Sequence, residues 1–213
     1  MNDYSTICRY IDDTLAELDG YGTQLLLATK TIPQEILVRL AERYPQLRFG
    51  ENRQQELCSK WFGDPSRWVF IGRLQTNKVK YLVDKVGLIE SVDSLPLAKE
   101  IDRQASKHDL VMPVLVEINL GEEQKGGVPV VEAETFVQSL GDLSAIKVVG
   151  LMAVLPKDAP EAAAKEMKGL YDRLQDKYQL QILSMGMSGD YPIALRYGST
   201  EVRLGSKIFG QRS

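Results

Sequence analysis

Residues 25–52 read LLLATKTIPQEILVRLAERYPQLRFGEN, and the order of patterns within them decides the fold. LLLATK at 25–30 is an apolar run closed by polar residues, Pro33 to Tyr44 reads as a helix, and RFGEN at 48–52 returns to extended character. A strand, a helix and a second strand in this span make a parallel unit. An open, doubly wound sheet usually has a glycine-rich turn after its first strand, but here that turn is ATKTIP, and neither GxGxxG nor GxxxxGK[ST] occurs in the chain. The reading therefore favours a closed barrel.

Working outward, the same alternation continues. Strand-like runs fall at 25–30, 48–52, 68–72, 88–93, 113–120, 148–154, 182–188 and 200–205. Eight is the number that closes a parallel barrel, and near-continuous apolar runs suit strands covered by helices outside and packed side chains inside. Helices are expected from Ser5 to Leu18, Pro33 to Tyr44, Asn52 to Ser59, Ser94 to Lys107, Pro129 to Leu140, Ala159 to Tyr178 and Gly189 to Tyr197. Pro33 and Pro129 suit first-turn positions, and Ser94 suits an N-cap. GEEQKGG at 121–127 reads as a mobile loop above the fifth strand. With no linker or low-complexity tract, the expectation is an α/β fold, a (β/α)8 barrel with residues 1–213 as a single domain.

Composition narrows the function. The 213 residues carry a net charge of -3, so the overall field does not attract nucleic acid or anionic membranes. Cys8 and Cys58 have neither metal-ligand nor disulfide-framework spacing, which suits a reducing, cytoplasmic setting. No signal-like segment or membrane-length apolar run is present. The one histidine, His108, lies in the polar stretch SKHDL on the bottom face, so neither a metal site nor a Ser-His-Asp arrangement is expected. Trp61, Trp68 and Phe70 read as packing residues.

In a parallel barrel the working face is formed by the C-terminal strand ends. These deliver Lys30; Glu51 and Asn52; Gly72, Arg73 and Gln75; Asp93; Asn119; Met152 to Val154; Met187 and Ser188; and Arg203, Gly205 and Ser206. Lys30 follows an apolar strand, where lost hydration favours the neutral amine that carbonyl chemistry needs. The competing reading, and the commoner one from position alone, is a lysine that reaches solvent. In SMGMSGD at 184–190, Ser188 can cap the next helix and leave N–H groups for an anion, or Gly186 and Gly189 can simply permit a tight turn. In VRLGSKIFG at 202–210, Gly205 and Ser206 suit a phosphate cradle. Arg203 would be a costly buried cation unless it faced an anion, a ring nitrogen, or a carboxylate such as Glu51 or Glu201.

ATKT, FGENRQQE, FIGRLQTNK, IESVDS, VEINLGEEQKGGV, GLMAV, LSMGMSGD and GSTEVRLGSKIFGQR, in this order, resemble blocks of the pyridoxal phosphate homeostasis protein family, also called YggS-like or proline synthetase co-transcribed homologues. The resemblance covers nearly the whole chain and implies a type III pyridoxal phosphate fold, similar to the barrel domain of alanine racemase. It implies Lys30 as the internal aldimine lysine and Asn52 beside the cofactor. Met187 and Ser188 fall at the phosphate side, Gly205 and Ser206 form the phosphate cradle, and Arg203 lies near the pyridine nitrogen or phosphate. Many relatives have histidines where this chain has Val69 and Arg73, so any role of those imidazoles is absent, and Arg73 adds positive charge near the phosphate face or pairs with Glu51. Ser199 and Thr200 read as turn and cap residues.

Related enzymes add a second domain over the cofactor, and the chain's end at Ser213 leads to the expectation of a solvent-facing cofactor. The implied function is a monomeric pyridoxal 5'-phosphate carrier, binding and releasing the cofactor to apoenzymes or free amino acids with little turnover. A weak amino-acid racemase using Lys30 as base, a class I aldolase and a partner-binding module remain open as alternatives.

Overall fold

Asp3 starts the first helix, α1 (Tyr4–Asp19), by accepting the Thr6 N–H at 3.0 Å, and the helix buries Ile7, Ile11 and Leu18. A computed structural model describes residues 1–122 and 126–211 of the chain. Strand and helix then alternate. The order is β1 (Gln24–Ala28), α2 (Gln34–Arg43), β2 (Arg48–Glu51), α3 (Gln54–Lys60), β3 (Trp68–Phe70), β4 (Leu88–Val92), α4 (Leu95–Lys107), β5 (Met112–Asn119), β6 (Val128–Pro129), α5 (Ala133–Ser139), β7 (Ile146–Ala153), α6 (Pro160–Tyr178), β8 (Ile182–Met187), α7 (Tyr191–Arg196), β9 (Glu201–Leu204) and α8 (Ser206–Phe209). After β3 a 3-10 segment, Thr76–Tyr81, stands where a full helix would be.

Every strand pairing is parallel. The strands run β4-β3-β2-β1-β9-β8-β7-β5, and the β4–β5 pairing, with Ile89 beside Val114, closes the ring. All eight strand runs expected from the sequence are staves of this barrel. Short β6, which pairs only with Ile118 and Asn119, was not anticipated, because two residues carry no apolar pattern. The loop expected at 121–127 includes 123–125, which lie outside the described residues.

Two apolar layers hold the barrel. The larger lies between strands and helices and includes Leu27, Phe49, Trp68, Phe70 and Val202. Trp68 packs on Phe49 and Phe62, with ring centroids 5.4 and 5.3 Å away. The smaller fills the barrel centre with Leu26, Val69, Leu88, Leu115 and Met152. Each such fully buried aliphatic side chain contributes about 1.5–3 kcal/mol relative to exposure. Val69 is thus a plug in the barrel's middle, which explains why an apolar residue is accommodated there.

Some local expectations are corrected. Pro33 stands one place before α2, as its N-cap, and Pro129 precedes a 3-10 turn, Val130–Glu132. Ser94 occupies the N-cap of α4 without a side-chain bond. Ser199 and Thr200 lie at the bottom end as read: the Ser199 hydroxyl, with its single proton, has the Met185 and Glu201 carbonyls both at 2.8 Å as acceptors, and Thr200 Oγ1 accepts the Leu183 N–H at 2.8 Å.

Candidate functional site

The strand ends enclose a cleft of about 690 Å³ at the upper face, within the ordinary size of a small-molecule site. Lys30, Asn52, Met187, Ser188, Arg203, Gly205 and Ser206 all line it, so the residues expected around the cofactor come to one place, while other strand-end residues do not. Ala28, Ile71, Val154, Gly189 and Gln211 complete the wall. The polar groups come from neighbouring staves: Lys30 follows β1, and the hydroxyl and glycine corner follows β9, which pairs with β1, and β8, which pairs with β9.

Ser188 does not cap the helix that follows it. Asp190 takes that position, with its carboxylate accepting the Met187 N–H, and α7 begins at Tyr191. Instead, the Ser188 hydroxyl accepts the N–H groups of Gly205 and Lys207, at 3.2 and 3.1 Å, at the start of α8. An oxygen already rests where main-chain donors converge, so this corner accommodates an anionic oxygen. Gly186 has φ +96, and a Cβ there would lie 2.6 Å from Ala194 Cβ; it therefore serves both the turn and the close packing of β8 on α7.

Asn52 is held by backbone contact. Ile71 donates its N–H to the Glu51 carbonyl at 2.9 Å, and a Cβ on Gly72 would stand 2.1 Å from the Asn52 carbonyl oxygen. Only glycine lets the segment after β3 lie this close to the end of β2.

Arg203 lies at the cleft floor, 4% exposed. Its guanidinium donates to the Ser184 hydroxyl at 2.6 Å and the Ala153 carbonyl at 2.8 Å. Its carboxylate partner is neither Glu51 nor Glu201, as the sequence suggested, but Glu90, at 3.6 Å. Glu201 pairs with Arg48. Burial pushes the Glu90 carboxyl well above the ordinary range, and the adjacent Glu201 raises it further; Arg203 and Ser184 oppose this without reversing it. The raised Glu90 weakens its charge pairing with Arg203, whose guanidinium brings a positive group to the floor of the cleft.

Arg73 is corrected in a similar way. It belongs to a neighbouring cleft with Gln75, Asp93 and Ser94, away from the Ser188 corner. Glu51, wholly buried, turns away from the cleft and pairs with Lys60 at 2.9 Å. Met152 lies in the barrel centre. The sequence reading missed Lys60, Glu56, Ser184 and Glu90. The signals available were the i,i+4 spacing of Glu56 and Lys60 and a glutamate inside the apolar run LIESV.

Amine, amide, hydroxyl, main-chain donors and a guanidinium thus surround walls of Ala28, Ile71, Val154 and Met187. That combination fits a flat ring bearing an aldehyde at one edge and a phosphate at another. Among the described residues, no helix is long and apolar enough to cross a membrane.

The family model described as alanine racemase, N-terminal domain, matches residues 38–213. A pyridoxal phosphate homeostasis protein of Aquifex aeolicus is 41% identical over 199 residues, 89% of this chain and 87% of that protein. One from Vibrio cholerae is 34% identical over 205 residues, covering 90% of this chain and 86% of its own length. Among solved structures, PipY of Synechococcus elongatus with PLP bound superposes with a TM-score of 0.85 at 29% identity, covering 96% of this chain and 100% of that one. Likeness of this extent leaves almost none of the barrel unshared, and the chain belongs to the pyridoxal phosphate homeostasis protein family.

Proposed function

We propose that this protein holds pyridoxal 5'-phosphate reversibly at the barrel mouth and hands it on, with little or no turnover of its own. The observation that carries the reading is that Lys30 lines one cleft together with the Ser188, Gly205 and Ser206 corner. The cofactor, when bound, supplies an aldehyde that a lysine amine takes up reversibly. Lys30 offers that amine. Ser188, Gly205 and Ser206 receive the phosphate, Met187 borders them, and Asn52 and Ile71 form the wall beside the ring.

Arg203 bears on turnover. A buried cation opposes a second positive charge beside it, so Arg203 disfavours protonation of a ring nitrogen placed there and weakens carbanion stabilisation. Among the described lining residues Lys30 and Arg203 are the only ionisable side chains, which supports holding over racemisation, since racemisation needs a second, oppositely placed proton carrier. Met187, 41% exposed, and Ser206, exposed, form an accessible rim. Access of this kind suits exchange with free amino acids and with the lysines of apoenzymes. The reading places a monomer in the cytoplasm.

The test uses purified protein mixed with pyridoxal phosphate and reduced with borohydride. Wild type is expected to turn yellow and to carry the reduced label on Lys30, whereas Lys30→Ala stays folded, colourless and unlabelled. Label on another lysine, or a wild type that never colours, defeats the proposal. Entry of solvent deuterium into the α carbon of an amino acid would favour racemase activity instead.

A further inference from the structure

We propose that the buried Lys60 ammonium, with Glu51 and Glu56, is a clamp that positions Lys30 by holding the residues on both sides of it. The inference rests on reading Lys30 as the attachment point.

Lys60 ends α3 and is 8% exposed. Its ammonium has three donors and meets three acceptors: the Thr29 carbonyl at 2.9 Å, Glu51 Oε1 at 2.9 Å and Glu56 Oε1 at 2.5 Å. Thr29, which precedes Lys30, is wholly buried and also donates its hydroxyl to Glu51 Oε1 at 2.7 Å. Thr31, which follows Lys30, donates its N–H to Glu56 Oε1. Both chain neighbours of Lys30 therefore lead back to one ammonium.

The backbone explains why a clamp is needed. Ile32 donates its N–H to the Thr29 carbonyl at 2.9 Å, so residues 29–32 form a tight turn with Lys30 at its second position. Thr31 at the third position has φ +65, a conformation that glycine or asparagine ordinarily supplies and a β-branched residue adopts only when its surroundings hold it. Glu56 and Lys60 provide that hold. With the turn fixed, the Lys30 side chain leaves the barrel rim in one direction, toward the cleft it lines.

A need for stability alone does not account for two buried charges and a partly buried third. Apolar side chains of like volume often serve as well or better, so an ion cluster here is better explained by the geometry it sets. Charge points the same way: Glu56 titrates below the ordinary range because the Lys60 and Thr31 hydrogen bonds, with the Lys60 and Lys30 charges, outweigh its desolvation.

The experiment compares wild type, Lys60→Met, Glu56→Gln, and Lys60→Met combined with Thr31→Gly. Three quantities are read: melting temperature, competitive acetylation of Lys30 in cofactor-free protein by mass spectrometry, and the rate at which pyridoxal phosphate becomes borohydride-trappable on Lys30. Lys60→Met is expected to slow trapping by about tenfold or more, as misplacement of a reacting group does, and to alter Lys30 acetylation severalfold. Thr31→Gly, which adopts the left-handed turn without a clamp, is expected to restore most of the trapping rate whatever it does to melting. Should Lys60→Met fail to fold, Glu56→Gln, on a partly exposed residue, is expected to show a smaller change in the same direction. Wild-type acetylation and trapping in a folded Lys60→Met or in Glu56→Gln, or no recovery with Thr31→Gly, overturns the clamp. A wild type that never traps the cofactor while its Lys30 acetylation still depends on Lys60 overturns the cofactor reading and upholds the clamp.

Discussion

Glu90 shows how one buried acid shapes the candidate site. It is fully enclosed, shares Ser184 with Glu201 and lies against Arg203. Burial and the Glu201 charge make it hold its proton more tightly in the folded chain than in the unfolded one. The folded state then binds the extra proton, so this contribution to stability is complete below the ordinary carboxylate range and is lost as pH rises through the raised value. Glu90→Gln imitates the protonated acid. Its melting temperature should gain on wild type steadily as pH moves from mildly acidic to alkaline; parallel curves would show that Glu90 is already ionised. At the same scale, Ser188→Ala removes the hydroxyl that takes the Gly205 and Lys207 N–H groups. A stability loss of about 1 kcal/mol is expected, as for a lost cap. Titration should show weaker pyridoxal phosphate binding by about tenfold, the scale of one hydrogen bond to a charged group.

At the scale of elements, the site depends on strand ends lying closer together than side chains ordinarily allow. Gly72 is the clearest instance: any Cβ there meets the backbone of Asn52, which cannot move without taking β2 along. Gly72→Ala should destabilise the chain by about 1–3 kcal/mol in urea titration, the usual cost of overpacking. It should also lower cofactor affinity through the displaced Asn52. Unchanged stability would mean that the segment after β3 is free to swing outward. The barrel rim thus uses main-chain proximity at β2 and β3, a strained turn after β1, and a shared hydroxyl between β8 and β9.

For the whole molecule, the barrel keeps its two tasks at different levels. Leu26, Val69, Leu88, Leu115 and Met152 plug the centre, and the cleft sits above them. Leu115→Ala should cost about 2–5 kcal/mol from lost burial and the cavity left behind, lowering the melting temperature by roughly 5–15 °C for a chain of this size. Cofactor stoichiometry in the cold should remain that of wild type; a parallel loss of binding would show that the levels are coupled. The sequence alone determined the eight barrel strands and the main helices, though not β6 or α8, and that Lys30, Asn52, Met187, Ser188, Arg203, Gly205 and Ser206 end up on one face. These follow from local periodicity and from the geometry of parallel barrels, in which each strand's last residues face the same way. Tertiary structure decided the partners: Glu90 and not Glu201 or Glu51 for Arg203, Lys60 for Glu51, α8 and not α7 for Ser188, and a separate cleft for Arg73. Most of these contacts join elements that are not neighbours in the chain, as Arg203 on β9 meets Glu90 on β4. Their choice depends on strand register and on the depth at which a charge is buried, and no local pattern of residues carries either.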